Sequence, residues 1–376
     1  MYSPQGIKTF MRQYIHEHSN WPGFAWDEGA LSALLGEVRM LQGRVLGKME
    51  ALGFKARQEA GLDNLSLDVV KSSEIEGEGL NFKQVRSSIA RKLGIDGPEP
   101  VRPARNVEGA VELMLDATRN FGEPLTHERL YGWHAALFPS GYSGLYQMET
   151  GKYRSGAMQI VSGPMGREEV HFVAIAPERV YAEMELFLDW VNAEQNMDPV
   201  IKAAMAHFRF IIIHPFDDGN GRIARAITDF LLARSEQSRE RFYSMSSAIM
   251  ARRKQYYALL KKVQHSEGDI TPWLKWFLET LRQALKQTEQ HTGMVLKKAE
   301  FWQHHEHTIL NERQRKVLNK LLDRDDASFR SAHYARMAKC SSDSALRDIK
   351  DLLQKGILTR GSSGGRSTDY VLAEFG

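Results

Sequence analysis

The sequence predicts a mainly α-helical protein, in which a helical bundle carries one inserted β-hairpin and is followed by a small mixed unit. Apolar residues recur at three-to-four spacing along most of residues 28–300, which indicates amphipathic helices. Residues 144–177 instead hold short β-branched runs around a turn, and the chain beyond residue 310 ends in two strand-like runs. With 376 residues, 42% of them hydrophobic, the chain is long enough for two or three domains with separate cores.

The composition excludes several functional classes. Lys and Arg total 50 against 47 Asp and Glu, so the bulk charge gives no argument for nucleic-acid binding. The single cysteine, Cys340, excludes an intramolecular disulfide framework and a cysteine-only zinc site, and it is typical of a reducing compartment. The first residues lack the apolar core of a signal peptide, and no window is long and apolar enough to span a bilayer. We therefore expect a cytoplasmic protein without a membrane partner.

The first predicted domain, residues 1–100, is helical. Leu31, Val38 and Val45 belong to an apolar face that predicts a helix over residues 28–60. A second helical pattern begins near residue 65 and ends around residues 77–79, where two glycines stand. The segment GIDGPEPVRPARN, residues 94–106, concentrates Gly and Pro and is the first predicted domain boundary.

The second predicted domain, residues 101–290, is the bundle with its hairpin. Its helix beginning THERLYGWHAALF has Thr126 as the expected N-cap. The turn SGPMG, residues 162–166, would join the two strands of the hairpin. Further helices are predicted over PERVYAEMELFLDWVNAE, over the largely buried PVIKAAMAHFRFIII, and over residues 221–234, 249–264 and 271–300.

The third predicted domain, residues 291–376, has a different pattern. LNERQRKVLNKLLDR, SAHYARMAKC and SDSALRDIKDLLQKG predict three short helices, and ILTRGSSGGRSTDYVLA predicts two strands joined by a Gly/Ser-rich turn. Three helices followed by a two-stranded wing are typical of a winged helix-turn-helix.

A winged helix would bind either DNA or a protein. The third helix and the wing offer four cations for DNA, namely Arg347, Lys350, Arg360 and Arg366. Phosphate attraction depends on a local excess of positive charge. We expect that excess to be thin, because three carboxylates lie on the same helix, namely Asp343, Asp348 and Asp351.

The stretch IIIHPFDDGNGRIAR, residues 211–225, concentrates the groups that bind and activate phosphate esters. Gly219 and Gly221 have no Cβ, so backbone amides between them can face a bulky anion. A helix beginning near Gly221 would add its free N–H groups and positive dipole end. Arg222 and Arg225, one helical turn apart, would serve as paired phosphate forks. The pattern indicates a di- or triphosphate.

Two other side chains of this stretch suit catalysis on such a ligand. Asp217 or Asp218 could bind Mg²⁺, which usually takes one or two carboxylates together with phosphate oxygens and water. His214 titrates near neutrality and could accept a proton from an attacking hydroxyl. The set predicts nucleotidyl or phosphoryl transfer, with one general base.

Three other templates explain this stretch less well. The match of residues 219–224 to a dinucleotide-binding fingerprint lacks a βαβ context. A calcium-binding EF-hand loop would need an oxygen ligand where Arg222 stands. A purely structural loop between two helices would not need His, Asp, two Gly, Asn and two Arg together.

The segment HPFDDGNGRIAR closely resembles the Fic-domain signature H-x-F-x-D/E-G-N-G-R-x-x-R, and it matches every specified position. The resemblance extends over residues 105–265, and it places the hairpin at residues 153–172 where the family has a target-docking flap. It implies a helical Fic-type bundle that transfers AMP from ATP to a Ser, Thr or Tyr hydroxyl of a target protein.

The resemblance also implies a role for each specified position. His214 would deprotonate the incoming hydroxyl, and Asp218 would bind Mg²⁺. The other positions would be the apolar anchor Phe216, the anion-hole residues Gly219 and Gly221, the α-phosphate contact Asn220, and the β- and γ-phosphate ligands Arg222 and Arg225.

A second motif, SSEIEG at residues 72–77, resembles the inhibitory S/T-x-x-x-E-G/N motif of some Fic proteins. Ser72 and Glu76 stand at helical i,i+4 spacing, and Gly77 can end the turn. The resemblance implies that Glu76 pairs with Arg225 and competes with a phosphate for that guanidinium. The alternative is a solvated glutamate at a helix end.

The sequence leaves three functions open. The first is an autoinhibited AMP transferase, and the second is a transcriptional regulator whose Fic-like domain senses nucleotide. The third is removal of AMP from a modified protein, with Glu76 orienting water. Tyr256 and Tyr257 could contact adenine, but paired tyrosines after such a motif are more often packing residues. The first helix and the C-terminal domain would both permit a homodimer.

Overall fold

The computed structural model describes residues 13–95, 101–162, 169–194, 196–322, 328–361 and 368–373, and it is mainly helical, as predicted. Contacts divide the chain into two compact units, with the division between Lys286 and Gln287. None of the helices in the described parts of the chain is long and apolar enough to cross a bilayer.

The first unit is a helical bundle with short strands inserted in it. A 3₁₀ turn at Ile15–Glu17 precedes the helices α1 Glu28–Glu50, α2 Phe54–Ile75, α3 Phe82–Leu93, α4 Arg105–Arg119, α5 His127–Leu137, α6 Pro177–Asn192, α7 Pro199–Ile213, α8 Asn220–Glu236, α9 Met245–Ala251, α10 Arg253–Val263 and α11 Thr271–His304, the last of which continues past Lys286. The strands are β1 Tyr142–Ser143, β2 Tyr146–Gln147, β3 Gln159–Ser162 and β4 Glu169–Val173.

Helices α7 and α8 form the centre of this unit. Their side chains are buried nearly all round: Phe208 and Phe210 of α7 and Ile227 and Phe230 of α8 are fully inaccessible to solvent. Neighbouring helices cover the apolar sides of both: α4 and α5 pack against α8, and α6 packs against α7. The α7–α8 connection is thereby fixed at both ends.

The predicted helix over residues 28–60 is wrong in one respect, because the chain turns inside it. Helix α1 ends at Glu50, and α2 begins after Gly53, whose φ of −58° and ψ of 150° lie outside the helical region. Met49 and Leu52 are both buried, so the apolar spacing continues through the turn. The spacing therefore gives no sign that the helix ends. The second predicted helix, near residue 65, is the later half of α2.

The predicted helix over residues 249–264 also contains a break. Arg252, with a φ of −117°, ends α9 and precedes α10. In contrast, the predicted N-cap is confirmed, since the Thr126 hydroxyl accepts a hydrogen bond from the Arg129 N–H at 3.2 Å.

The inserted hairpin is present. Strands β3 and β4 pair antiparallel, with Gln159 opposite Val173 and a register shift between Ile160 and Val161. Most of the predicted SGPMG turn, from residue 163 on, lies outside the described residues. Strands β1 and β2 form a second, two-residue antiparallel pair that the sequence did not predict.

The second unit has its own core. Its elements are α12 Glu312–Leu322, α13 Ser331–Ala338, α14 Ser342–Gln354 and the antiparallel strands β5 Leu358–Arg360 and β6 Tyr370–Leu372. Val317, Leu318, Tyr334, Leu352 and Ile357 are among the residues that fill the core. The order of three helices and two strands agrees with the sequence pattern, and the winged-helix assignment stays a prediction.

The Asp348 carboxylate is buried, although the sequence predicts that it offsets the cations of α14. Asp348 is only 5% exposed, and it accepts hydrogen bonds from Arg313 at 3.0 Å and from Asn311 at 3.0 Å. It therefore does not offset the exposed cations Arg347 and Lys350 of α14. Arg366 lies outside the described residues.

Candidate active site

The α7–α8 loop, residues 214–219, has a left-handed residue at each end. His214 ends α7 with a φ of 51°, and Gly219 precedes α8 with a φ of 79°. Glycine adopts this conformation at little cost, whereas a histidine needs support from its surroundings. No side chain among the residues that the structure describes caps the N-terminus of α8. Its first N–H groups and positive dipole end are therefore available to an anion.

Asn220 and Phe216 hold this loop in shape. The Asn220 amide accepts a hydrogen bond from the Phe216 N–H at 3.0 Å and donates one to the Phe216 carbonyl at 2.7 Å. The Phe216 ring is fully buried and stacks on the His134 ring at 4.3 Å between centroids. Asn220 thus has a structural function that the sequence did not indicate, and its side chain is only 2% exposed.

The half-buried His214 imidazole lines a cavity of about 530 Å³. Its Nδ1 lies 3.2 Å from the Ile211 carbonyl, so Nδ1–H donates there and Nε2 keeps its lone pair. Burial is the main reason that the pKa of His214 is lowered to about 4, and the nearby Arg154 cation adds to this. The imidazole is therefore neutral at pH 7 and can accept a proton.

Arg154 supports the strained backbone at His214. Its Nε donates to the His214 carbonyl at 2.8 Å, its Nη1 donates to the Gly156 carbonyl at 2.8 Å, and its Nη2 donates to the Ile175 carbonyl. The Arg154 N–H also donates to the Pro215 carbonyl at 2.9 Å. This side chain is 3% exposed, and the sequence reading did not identify it. In the sequence, the sign of this residue is an arginine just before the hairpin, in the segment KYRSG.

Asp218 lies where two cavities meet. It lines both the 530 Å³ cavity beside His214 and a second one of about 680 Å³ that also contacts Arg105, Tyr142 and Arg222. One of its oxygens accepts from the Gly219 N–H at 2.5 Å, and the other accepts from the Ser143 hydroxyl. The described residues contain no group of three or more metal-ligating side chains. A lone carboxylate still fits Mg²⁺ whose other ligands are phosphate oxygens and water.

The two motif arginines are both bound to the C-terminal end of α2. Arg225 is 1% exposed and donates to the Ser72 hydroxyl at 2.9 Å, to the Ser72 carbonyl at 2.7 Å and to Glu76 Oε1 at 2.8 Å. Arg222 donates to Glu78 Oε2 at 2.5 Å, and its guanidinium lies over the Phe138 ring, 4.8 Å from the centroid. The structure thus brings Ser72, Glu76 and Arg225 together.

The Glu76 carboxylate lies against the start of α8. A Cβ atom at Gly221 would lie only 2.0 Å from Glu76 Oε1, so the close approach depends on glycine at that position. This is where a helix N-terminus favours an anion. Glu76 Oε2 accepts from the Tyr257 hydroxyl at 3.1 Å, a contact that the sequence did not predict.

The two tyrosines of α10 differ in their surroundings. Tyr256 is 1% exposed and its hydroxyl lies 2.9 Å from His207 Nε2, so it is a core packing residue. Tyr257 is 38% exposed. Both line the cavity beside His214.

The glycine-lined N-terminus of α8, the two arginines of that helix and the neutral His214 all lie within one segment that is similar to a known family. Residues 124–232 match the model of the Fic/DOC family, and residues 14–95 match a domain of unknown function, DUF4172. The chain is therefore similar to Fic/DOC proteins over residues 124–232.

Curated relatives are similar to more than half of the chain. The protein adenylyltransferase fic-1 of Caenorhabditis briggsae is 34% identical over 215 residues, which are 56% of this chain and 38% of that protein. The protein adenylyltransferase Fic of Culex quinquefasciatus is 27% identical over 247 residues, 63% of this chain and 45% of that protein. The chain thus spans less than half the length of these relatives.

Solved structures share the fold. A Fic family protein from Desulfovibrio desulfuricans aligns with a TM-score of 0.52 at 22% identity, covering 92% of this chain and 97% of that one. Fic-1 from Caenorhabditis elegans aligns with a TM-score of 0.51 at 21% identity, covering 72% of this chain and 74% of that one.

Proposed function

We propose that this protein is an autoinhibited adenylyltransferase that moves AMP from ATP to a Ser, Thr or Tyr hydroxyl of a target protein. The observation that carries the proposal is the position of Glu76. Its carboxylate lies against Gly221 at the N-terminus of α8 and pairs with the buried Arg225. A carboxylate held by these groups marks a site built for a phosphate. The names of the two curated relatives give independent support.

In the proposed reaction, the target hydroxyl oxygen attacks the α-phosphorus of ATP. A new O–P bond forms, the bond between the α-phosphorus and the bridging oxygen breaks, and pyrophosphate leaves with that oxygen. The hydroxyl proton passes to His214 Nε2, which is free because Nδ1 donates to the Ile211 carbonyl. Backbone amides at Asn220 and Gly221 would stabilise the charge that develops on the α-phosphate, since the Gly219 N–H already donates to Asp218.

The geometry of the site also suggests which residues would hold the β- and γ-phosphates, Mg²⁺ and the nucleoside. Arg222 and Arg225 would hold the β- and γ-phosphates once they separate from the α2 carboxylates. Asp218 would hold Mg²⁺, which neutralises phosphate charge when bound. The 530 Å³ cavity lined by Tyr257 and Leu260 would take the nucleoside. The β3–β4 hairpin is the proposed docking flap for the target, by strand addition.

Autoinhibition follows from competition for the same donors. Arg225 gives one N–H to Glu76 and two to Ser72, so a γ-phosphate could bind it only after Glu76 leaves. Replacing Glu76 by glycine removes the competing anion without adding bulk near Gly221. The substitution should therefore activate the protein.

The test is incubation with Mg²⁺ and ATP labelled at either the α- or the γ-phosphate, with a cell lysate as the source of targets. Glu76→Gly should label protein from the α-position and not from the γ-position, and wild type should label it weakly. Glu74→Gln, whose carboxylate pairs with Lys71 at 2.5 Å on the same helix, is the matched control and should behave as wild type. Equal labelling by wild type and Glu76→Gly, or transfer of the γ-label, would contradict the proposal.

A second candidate activity, removal of AMP from a modified protein, has one specific observation in its favour. Glu76 lines the same cavity as His214, and Tyr257 holds its second oxygen. A carboxylate there could orient a water molecule toward an AMP–protein bond. Target protein labelled by Glu76→Gly can be isolated and mixed with wild type. Loss of label would support removal, and stable label would exclude it for that target.

The C-terminal unit is the proposed partner-binding part. Asp348 is buried and paired, so Arg347 and Lys350 are exposed on α14 without its carboxylate beside them. DNA is therefore the ligand that we propose to test for this unit. Retention of labelled DNA that falls on raising the salt concentration, and that is lost in Arg347→Gln/Lys350→Gln, would test it.

A further inference from the structure

We propose that Glu78 is a second inhibitory carboxylate, and that it controls whether the site accepts a nucleotide with a β-phosphate. The inference rests on the proposed function, since it takes the α8 N-terminus as a nucleotide site. Glu78 lies outside the Ser72–Gly77 motif. Its Oε2 is 2.5 Å from Arg222 Nη1, and its Oε1 accepts a hydrogen bond from the Asn106 amide at 3.0 Å.

The backbone at the end of α2 directs the two glutamates to two different arginines. Gly77 has a φ of 88°, and the Ser73 carbonyl accepts hydrogen bonds from the N–H groups of Glu76 at 3.1 Å and Glu78 at 3.0 Å. The helix end is therefore a fixed turn. Glu76 reaches Arg225 and Glu78 reaches Arg222, and these arginines lie one turn apart on α8.

The surroundings of the Arg222 guanidinium favour the binding of an anion, and the Glu78 carboxylate is the anion that pairs with it. It is 8% exposed, its face lies on the Phe138 ring, and its buried Nε has no hydrogen-bond partner among the described residues. A guanidinium in this setting has donors left for a bidentate ligand. A phosphate that accepts hydrogen bonds from both Nη1 and Nη2 must first displace the Glu78 carboxylate from Nη1.

The two carboxylates should therefore have separable effects on nucleotide binding. Glu76 occupies the position at Gly221 and pairs with Arg225, so it opposes every nucleotide that places a phosphate there. Glu78 touches neither Gly221 nor Arg225, and it opposes only a phosphate that reaches Arg222. With Glu76 removed, AMP should bind independently of Glu78, whereas ADP and ATP should not.

The experiment is calorimetric titration of AMP, ADP and ATP, each with Mg²⁺, into full-length wild type, Glu76→Gly, Glu78→Gln and the double variant. Between Glu76→Gly and the double variant, we expect ADP and ATP to bind about tenfold more tightly, the effect of one charge-assisted hydrogen bond. AMP affinity should stay within about twofold. Glu78→Gln is nearly isosteric, and Glu74→Gln in the Glu76→Gly background is the control for loss of a charge from α2.

The outcomes separate the two proposals. Unchanged ADP affinity in the double variant, or equal tightening of AMP and ADP, would overturn the role of Glu78 while leaving the nucleotide site intact. Failure of all three nucleotides to bind any variant would instead overturn the proposed function.

Discussion

The Glu76 carboxylate lies 2.8 Å from the Arg225 guanidinium, and this ion pair joins the end of α2 to the second turn of α8. The Arg225 side chain is 1% exposed and the Glu76 side chain is 31% exposed, so solvent and salt reach the pair from the Glu76 side. A ligand that binds to Arg225 must first break the ion pair between Glu76 and Arg225. The nucleotide site and its restraint therefore share one hydrogen-bonding surface.

The charge of Glu76, more than its size, should maintain the restraint. In Glu76→Gln the amide can still contact Arg225 but loses the charge assistance of the bond. We expect AMP transfer by Glu76→Gln to lie between wild type and Glu76→Gly. Initial rates at a fixed ATP concentration measure this. A Glu76→Gln rate as low as that of wild type would mean that the side chain acts by occupying space.

Loss of the base should affect chemistry and leave binding intact. In the Glu76→Gly background, His214→Ala should lower the rate of AMP transfer by about 10²–10⁴-fold, the usual contribution of a general base. ATP affinity should change little, because Nε2 contacts the attacking hydroxyl and not the phosphates. Single-turnover rates and calorimetry on the same samples separate these effects. Loss of ATP binding in His214→Ala would contradict the role of base.

Arg154 should act on kcat through the conformation of His214. Arg154→Met keeps the stem and removes the donors to the carbonyls of His214, Gly156 and Ile175. In the Glu76→Gly background we expect a fall in kcat of about tenfold or more, with little change in KM for ATP. Removing the cation should also raise the pKa of His214, because Arg154 helps to lower it. The acid limb of the pH–rate profile should then move to higher pH, which simple loss of folded protein would not produce.

The buried His207 should make stability depend on pH. Its imidazole contacts the Thr228 and Tyr256 hydroxyls, and burial lowers its pKa to about 3. As pH falls below the unfolded value of about 6.5, the unfolded chain binds the proton first, so this group's stabilisation is complete above that pH and is lost toward pH 3.

The corresponding measurement is denaturant unfolding of wild type and His207→Gln at several pH values from 7.5 to 4.5. Below about pH 6, the variant should lose about 1.4 kcal/mol less free energy of unfolding per pH unit than wild type, and above about pH 7 the two should run parallel. Other buried groups, including Asp229 with its raised pKa of about 8, cancel in this difference. His307→Gln, at an exposed position, is the control. Parallel pH dependences for wild type and His207→Gln would exclude a buried neutral histidine.

The sequence predicted the helical class and the motif loop, because both depend on neighbouring residues. The 3.6-residue apolar period and the left-handed glycine of the loop are local signals. The turns at Gly53 and Arg252 were missed since the apolar period continues through them. Each of these helix breaks depends on one or two residues. A single glycine or arginine is a weak sequence signal for a break.

Supporting residues of the site could not be predicted because they are distant in sequence. Arg154 precedes His214 by 60 positions and Ser143 precedes Asp218 by 75. Asn220 was assigned to phosphate alone, and its two bonds to the Phe216 backbone became visible only in three dimensions. Glu78 looks like an ordinary solvated acid in the sequence, until the fold brings Arg222 next to it.

A crystal structure of Glu76→Gly with Mg²⁺ and ATP would show whether the N-terminus of α8 is the nucleotide site. We expect electron density for the triphosphate at the N-terminus of α8, with its phosphates against Gly219–Gly221 and the guanidinium groups of Arg222 and Arg225. The α-phosphorus should lie within reach of a hydroxyl placed beside His214. A nucleotide bound elsewhere, or a site still empty at saturating ATP, would contradict this expectation.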